Sequence, residues 1–309
     1  MGWKAGRKGS VRIISNGEVR IVKINVRCLF QAEAEPALRE SGLFSNDEIE
    51  SVVLDLDSQS ERFSGFVEAT RDTTTGTWFN PWMTFTRKEL DSADFFQLDC
   101  RKTLAENNKD SEWNDSHVKS LKLTKTSAGM EIKLPERIAV SNVTPLKPHM
   151  VAGVGQFLQE YVVPDPVAAA FSGGALSGYS LRPLYSARTK TTHDDVHHLY
   201  STAIMPPAEL DRTVRPSDGG GVRQLGCLTY KDLEQHDLAD FNRTAEDWAM
   251  GNMPLWVVSA AVRDCFMRNK FKGWAFRPVL SKGSDMHRQY ESMWEDLFNK
   301  TSVNPLNFF

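Results

Sequence analysis

The chain reads as a mixed α+β protein, and three observations predict that class. Apolar and polar residues alternate near the N-terminus, as in a half-buried strand. Apolar residues recur at helical spacing near the C-terminus. Between them, a strand–helix–strand pattern occurs twice, over residues 161–186 and 256–281. With 309 residues, the chain has length for one large domain or two ordinary ones. The repeats suggest two related lobes, residues 1–150 and 151–309.

The first element is a β-hairpin over Val11–Phe30. Asn16-Gly17 suits a tight turn whose two central residues need positive φ, and Val22, Ile24, Val26 and Cys28 then alternate with Lys23, Asn25 and Arg27. Glu33 to Ser41 reads as a short helix stopped by Gly42, and Asn46 as a cap for another turn before Val52-Val53-Leu54. Asp72–Gly76 is a turn leading to an aromatic cluster, Trp78, Phe79 and Trp82, and Asn107–Ser120 is a polar surface loop. A strand at Met130–Leu134 and a Pro-containing connection to Pro148 follow. Close to the C-terminus, Met286, Tyr290, Trp294 and Leu297 follow Ser284, a good N-cap, in an amphipathic helix expected to pack on the second lobe.

The repeat aligns without a gap, with Val162/Val257, Val163/Val258, Val167/Val262, Phe171/Phe266, Gly178/Gly273, Arg182/Arg277, Pro183/Pro278 and Ser186/Ser281 identical. In each copy the Val-Val pair ends a strand, Asp165 or Ser259 caps a helix, and Val and Phe four apart share a helical face. Gly178 or Gly273 turns the chain into a second strand. These residues are scaffold rather than site. A shorter echo, Asp91-Ser-Ala-Asp-Phe95 against Asp237-Leu-Ala-Asp-Phe241, extends the pattern upstream, with a longer insertion in the first half.

A net charge of -3 and a pI near 6.2 disfavour a nucleic-acid binder, which needs basic excess to neutralise phosphates. Cys28, Cys100, Cys227 and Cys265 are far apart, which fits free thiols in a reducing compartment. No apolar run suits a signal peptide or a membrane span, so a cytoplasmic location is expected.

Few residues offer chemistry. His193-Asp194-Asp195-Val196-His197-His198 is the one run of metal-ligand types. On a strand, His193, Asp195 and His197 would share one face and His198 would oppose them. Val196, His198, Tyr200, Thr202 and Ile204 favour a strand beginning here, which makes the run a polar loop entering it. A metal-dependent hydrolase built on His193, Asp195, His197 and His198 is the alternative. Gly219-Gly220-Gly221 and Gly153-Val-Gly155 lack the rest of a phosphate or dinucleotide fingerprint and read as turns. Asp55 and Asp57 could be posed as an acid–base couple but read as the solvent face of a strand or a loop. Trp78, Phe79 and Trp82 are residue types that anchor interfaces as well as cores.

Several segments resemble a family of bacterial polymorphic-toxin immunity proteins, the double-CxxCG-motif type. They are Glu89–Leu98, Leu199–Pro207, Ala239-Asp-Phe241, and Leu255-Trp-Val-Val-Ser259 running on to Gly273-Trp-Ala-Phe-Arg-Pro278. The likeness covers most of residues 85–280 loosely. Both CxxCG knuckles are missing. Cys227 stands where the second would be, and Cys28 is a remnant of the first. Single thiols cannot supply the roughly four ligands of a zinc site, so no cofactor is expected. The resemblance implies a non-enzymatic protein that binds and blocks a cognate toxin encoded by an adjacent gene.

Overall fold

The computed structural model describes residues 23–71, 78–104, 124–126, 129–131, 138–144, 146–154, 160–211, 213–216, 222–248 and 253–301. The first sheet is antiparallel, with strand order β2–β1–β3, and comprises β1 (Lys23–Leu29), β2 (Val53–Asp57) and β3 (Trp78–Thr84). The predicted alternation holds in β1. Ile24, Val26 and Cys28 are fully buried, whereas Lys23 and Arg27 are exposed. The Asn16-Gly17 turn, the Asp72–Gly76 turn, the Asn107–Ser120 loop and Gly219–Gly221 lie outside the described residues, as does the end of the strand expected at Met130–Leu134.

One face of this sheet is covered by α1 (Glu35–Glu40), α2 (Asn46–Glu50) and α3 (Glu61–Thr70). Ser45 caps α2, not Asn46, in a capping box with Glu48. The C-terminal helix packs here as well as against second-lobe residues, where the Tyr290 hydroxyl meets Thr213 Oγ1 and accepts from Cys227 N–H, each at 2.7 Å. Ser284 Oγ accepts from the His287 N–H at 3.1 Å, which starts the helix Asp285–Thr301. That helix buries Tyr290, Trp294 and Leu297 in one core with Ile24, Val26 and Phe63. Its apolar stripe fixed that it would be buried, but not against what.

Two six-stranded sheets and two two-stranded ones, Thr229–Tyr230 with Leu280–Ser281 and Thr124–Thr126 with Gly129–Glu131, follow among the described residues. A short helix, α4 (Arg87–Ser92), leads into β4 (Phe95–Cys100) and β5 (Thr103–Leu104). Then come β6 (Ala152–Val154), β7 (Glu160–Pro164), α5 (Asp165–Gly173), β8 (Ser180–Ser186) and β9 (Thr191–Tyr200). The second half supplies β10 (Phe241–Trp248), β11 (Met253–Ser259), α6 (Ala260–Arg268) and β12 (Trp274–Pro278), and the C-terminal helix is α7. One sheet runs β5–β6–β7–β9–β8, then the short strand Ala139–Val140. The other runs from the short strands Val214–Pro216 and Val222–Gln224 through β10–β11–β4–β12.

Both aligned segments are therefore strand–helix–strand, and their pairings correspond residue for residue. Val162 faces His198 and Arg182 faces the same His198; Val257 faces Gln97 and Arg277 faces the same Gln97. Thus β9 fills in one sheet the place of β4 in the other. The helices end alike. Leu176 N–H donates to Phe171 C=O and Phe271 N–H to Phe266 C=O, with Ala175 and Lys270 both at positive φ. Phe171 and Phe266 are buried, and both rings stack near-parallel on Trp274 at 6.0 and 5.1 Å.

Two expectations need correction. A division at residue 150 cuts through both sheets, because β4 pairs with β11 and β12 while β5 pairs with β6. The upstream echo does not fall one copy per half either. Phe95 begins β4 and Phe241 begins β10, and these strands flank the same neighbour, β11. Asp165 is the first residue of α5 rather than its cap, whereas Ser259 is the N-cap residue of α6, without a side-chain cap bond.

The sheets exchange chain. After β4, the Lys102 carbonyl accepts from Gly153 N–H at 2.7 Å in β6; after β9, the Ala203 carbonyl accepts from Arg243 N–H at 2.7 Å in β10. Gly153 therefore lies within a strand, not a turn. Each turn glycine abuts the opposite sheet. A Cβ on Gly178 would overlap the Phe241 carbonyl, and one on Gly273 the Val151 carbonyl. Glycine is required twice over, by close approach and by φ of 78° and 112°.

Candidate partner-binding face

The histidine run lies inside β9, which begins at Thr191, and not in a loop before it. Strand alternation then splits the run. His198 turns inward and is buried, its Nε2 2.6 Å from Glu160 Oε2. His197, on the opposite side from His198, places Nε2 2.6 Å from Asp165 Oδ1 at the start of α5. Among the described residues, no group of three or more His, Cys, Asp or Glu could hold a metal. The proposed ligand set His193, Asp195, His197 and His198 is therefore not brought together, because His197 and His198 face opposite ways and are held by different carboxylates.

What His198 joins is a buried ionic cluster. Arg243 Nη2 lies 2.6 Å from Glu160 Oε1, its Nη1 donates to the Pro254 carbonyl at 3.2 Å, and its guanidinium stacks on Trp256 at 3.8 Å. Glu160 and Arg243 are both completely buried. Burial opposes ionisation of Glu160 most strongly, yet Arg243 and His198 together hold its carboxyl below the usual range. The cluster ties β7 and β9 of one sheet to β10 of the other. Glu160 engages both Arg243 and His198, one through each carboxylate oxygen, so the cluster reads as structural.

Phe171, Phe266, Gly178 and Gly273 fill the core and turns described above. Arg182 stacks on Tyr200 at 3.7 Å, while Arg277, at the aligned position, pairs with Asp99 at 3.0 Å. Pro183 and Pro278 lie within β8 and β12.

The aromatic cluster on β3 separates by strand alternation. Phe79 is buried against Phe63 and Phe66, with centroids 6.2 Å away in each case, and belongs to the core. Trp82 is 37% exposed on the opposite side. The backbone of Trp78 pairs with Leu29, and its side chain lies outside the described residues. Beside Trp82, Arg27 binds Asp55 through two hydrogen bonds of 2.8 and 2.9 Å, with its guanidinium 5.7 Å from the Trp82 ring centre. These hydrogen bonds raise the Arg27 pKa, so the group stays charged. Val53, Asp55 and Asp57 line the same outer face of β2, as the sequence predicts for the two aspartates.

The edges of this sheet are blunted. Ser58 N–H donates to Ile24 C=O and Phe30 N–H to Val52 C=O, so Val53, Asp55 and Asp57 direct their backbone groups outward from β2. The Ser51 hydroxyl engages both backbone groups of Val53, and Ser60 donates twice to the Asp57 carbonyl. On the other edge, the same alternation points Pro81, which has no N–H, away from β1. Strand addition is thereby discouraged, and the open face is the surface left for contact. A scan against protein-family models and a search of curated proteins find no match for this chain.

Proposed function

We propose that this chain is a non-enzymatic binding protein that neutralises a cognate bacterial toxin by covering its surface, the immunity role its segments resemble. In this reading it acts in the cytoplasm and its partner is the product of an adjacent gene. The observation that carries the reading is the placement of Trp82 and Arg27. Tryptophan and arginine dominate binding energy at protein interfaces. Here they stand together on the open face of a sheet that is rigidly backed by four helices and closed to strand addition.

Exposure makes the test clean. Trp82→Ala removes a side chain that is outside the core, so the melting temperature should barely move. Loss of a central anchor costs about 2 kcal/mol or more, which is at least a roughly thirtyfold weaker complex. Titration calorimetry against the neighbouring gene product reads both. Wild-type affinity in the Trp82→Ala protein would remove the face from the account.

A further inference from the structure

We infer that the partner surface seated on this sheet is basic, and that it reaches the Val52–Val53 corner as well as Trp82. The inference rests on the binding reading above and adds the partner's chemistry. Five large hydrophobic side chains stand exposed among the described residues, and three belong to this unit: Val52 at 42%, Val53 at 38% and Trp82 at 37%. Val52 is also strained. A β-branched residue at φ 55° is an outlier, held by its N–H donating to Ile49 C=O. An exposed, strained valine adds nothing to the core, and it displays apolar surface at the end of β2.

Charge names the occupant. Residues 23–71 contain ten carboxylates and five basic side chains, a net of -5 against -3 for the whole chain, which leaves +2 for the remainder. Each of the five bases already holds one acid: Lys23 with Asp57, Arg27 with Asp55, Arg39 with Glu35, Arg62 with Glu48, and Arg71 with Glu68. The excess is therefore five exposed carboxylates, Glu33, Glu40, Asp47, Glu50 and Glu61, with no ion pair among the described residues. Glu50 lies two residues before Val52, and Asp47 lies one helical turn earlier on α2. An apolar corner at Val52 and Val53 with unneutralised Glu50 beside it complements a basic protein surface with an apolar centre, and the net charge of -5 on residues 23–71 gives a field that accelerates encounter.

The test is stopped-flow association of the neighbouring gene product with the wild-type protein, Val52→Ser/Val53→Ser, and a fivefold variant with Gln or Asn at Glu33, Glu40, Asp47, Glu50 and Glu61. Circular dichroism melts confirm that each variant is folded. Raising salt from about 50 mM to about 500 mM should slow wild-type association about tenfold or more with little change in dissociation. The fivefold variant should associate as slowly at low salt as the wild type does at high salt. The valine variant should associate normally and dissociate faster. Association indifferent to both salt and the fivefold substitution, with a one-to-one complex intact, overturns the inference and leaves the binding reading standing. Absence of any complex with the wild type overturns both. A Trp82-dependent dimer of this chain in sedimentation, blocking the face, would assign the surface to a second copy and overturn the basic partner.

Discussion

Glu160 and Arg243 are full charges placed where water cannot reach them, and each is tolerated because the other is there. Removing one partner leaves an uncompensated buried charge, which typically costs about 3–5 kcal/mol. Glu160→Gln or Arg243→Met should therefore lower the urea-derived stability by that amount. Replacing both with apolar residues, Glu160→Leu with Arg243→Met, should regain most of it. The other half of the core makes this plausible, since Leu255 and Gly153 occupy the corresponding positions in the aligned pairings. Single variants as stable as the wild type would show that the cluster does not hold the sheets together. None of this was legible in the sequence. Glu160 and Arg243 are 83 residues apart and look like ordinary surface charges; only the chain exchange between the sheets brings them together.

A second residue titrates in an accessible range. Hydrogen bonds from Arg62, then from the Ser45 backbone, pull the Glu48 carboxyl down from 4.5 to about 2. A depressed carboxylate contributes stability that is fully present above about 4.5 and is lost as pH falls through about 2. Glu48 is 40% exposed, so solvent screening keeps that contribution small. Melts of the wild type and Arg62→Met should differ at neutral pH and converge as pH falls from about 4.5 towards about 2. A difference that persists unchanged at the acid end would mean that Arg62 stabilises through packing on Phe44, 5.0 Å away, rather than through Glu48.

At the scale of elements, local pattern was readable and tertiary pairing was not. The alternation in β1, the Val–Phe faces of α5 and α6, and the Ser284 start of α7 all follow from side-chain period and capping, which act within a few residues. The neighbour of α7, the division at residue 150, and the places of β4 and β10 depend on contacts far apart in sequence. The histidine run shows the same limit. A strand reaching Tyr200 was legible, but that it takes in the whole run from Thr191, and the partners that claim His197 and His198, were not. Glycine gives an element-level prediction. Gly273→Ala puts a methyl group against the Val151 carbonyl and strains φ at once. It should destabilise the protein by well over 1 kcal/mol. Gly42→Ala, also at positive φ but with open space around it, should cost less. Equal losses in chemical denaturation would remove close approach from the explanation.

On the scale of the whole molecule, the chain is a helix-backed three-stranded sheet beside a core of two interlocked sheets. Its four cysteines are free, and among the described residues no helix is long and apolar enough to cross a membrane. Burial holds the Cys227 thiol up at about 12 and pushes Cys28 up as well, so neither is primed as a thiolate. The central claim is that the protein works by occupation. Occupation is stoichiometric, whereas catalysis is not. The direct test is a titration of toxin activity with increasing purified protein, using the neighbouring gene product as toxin. The account predicts a sharp end-point near one molecule per toxin, unchanged when His193, Asp195 and His197 are replaced by Ala. Complete protection far below equimolar, abolished by those same substitutions, would contradict it.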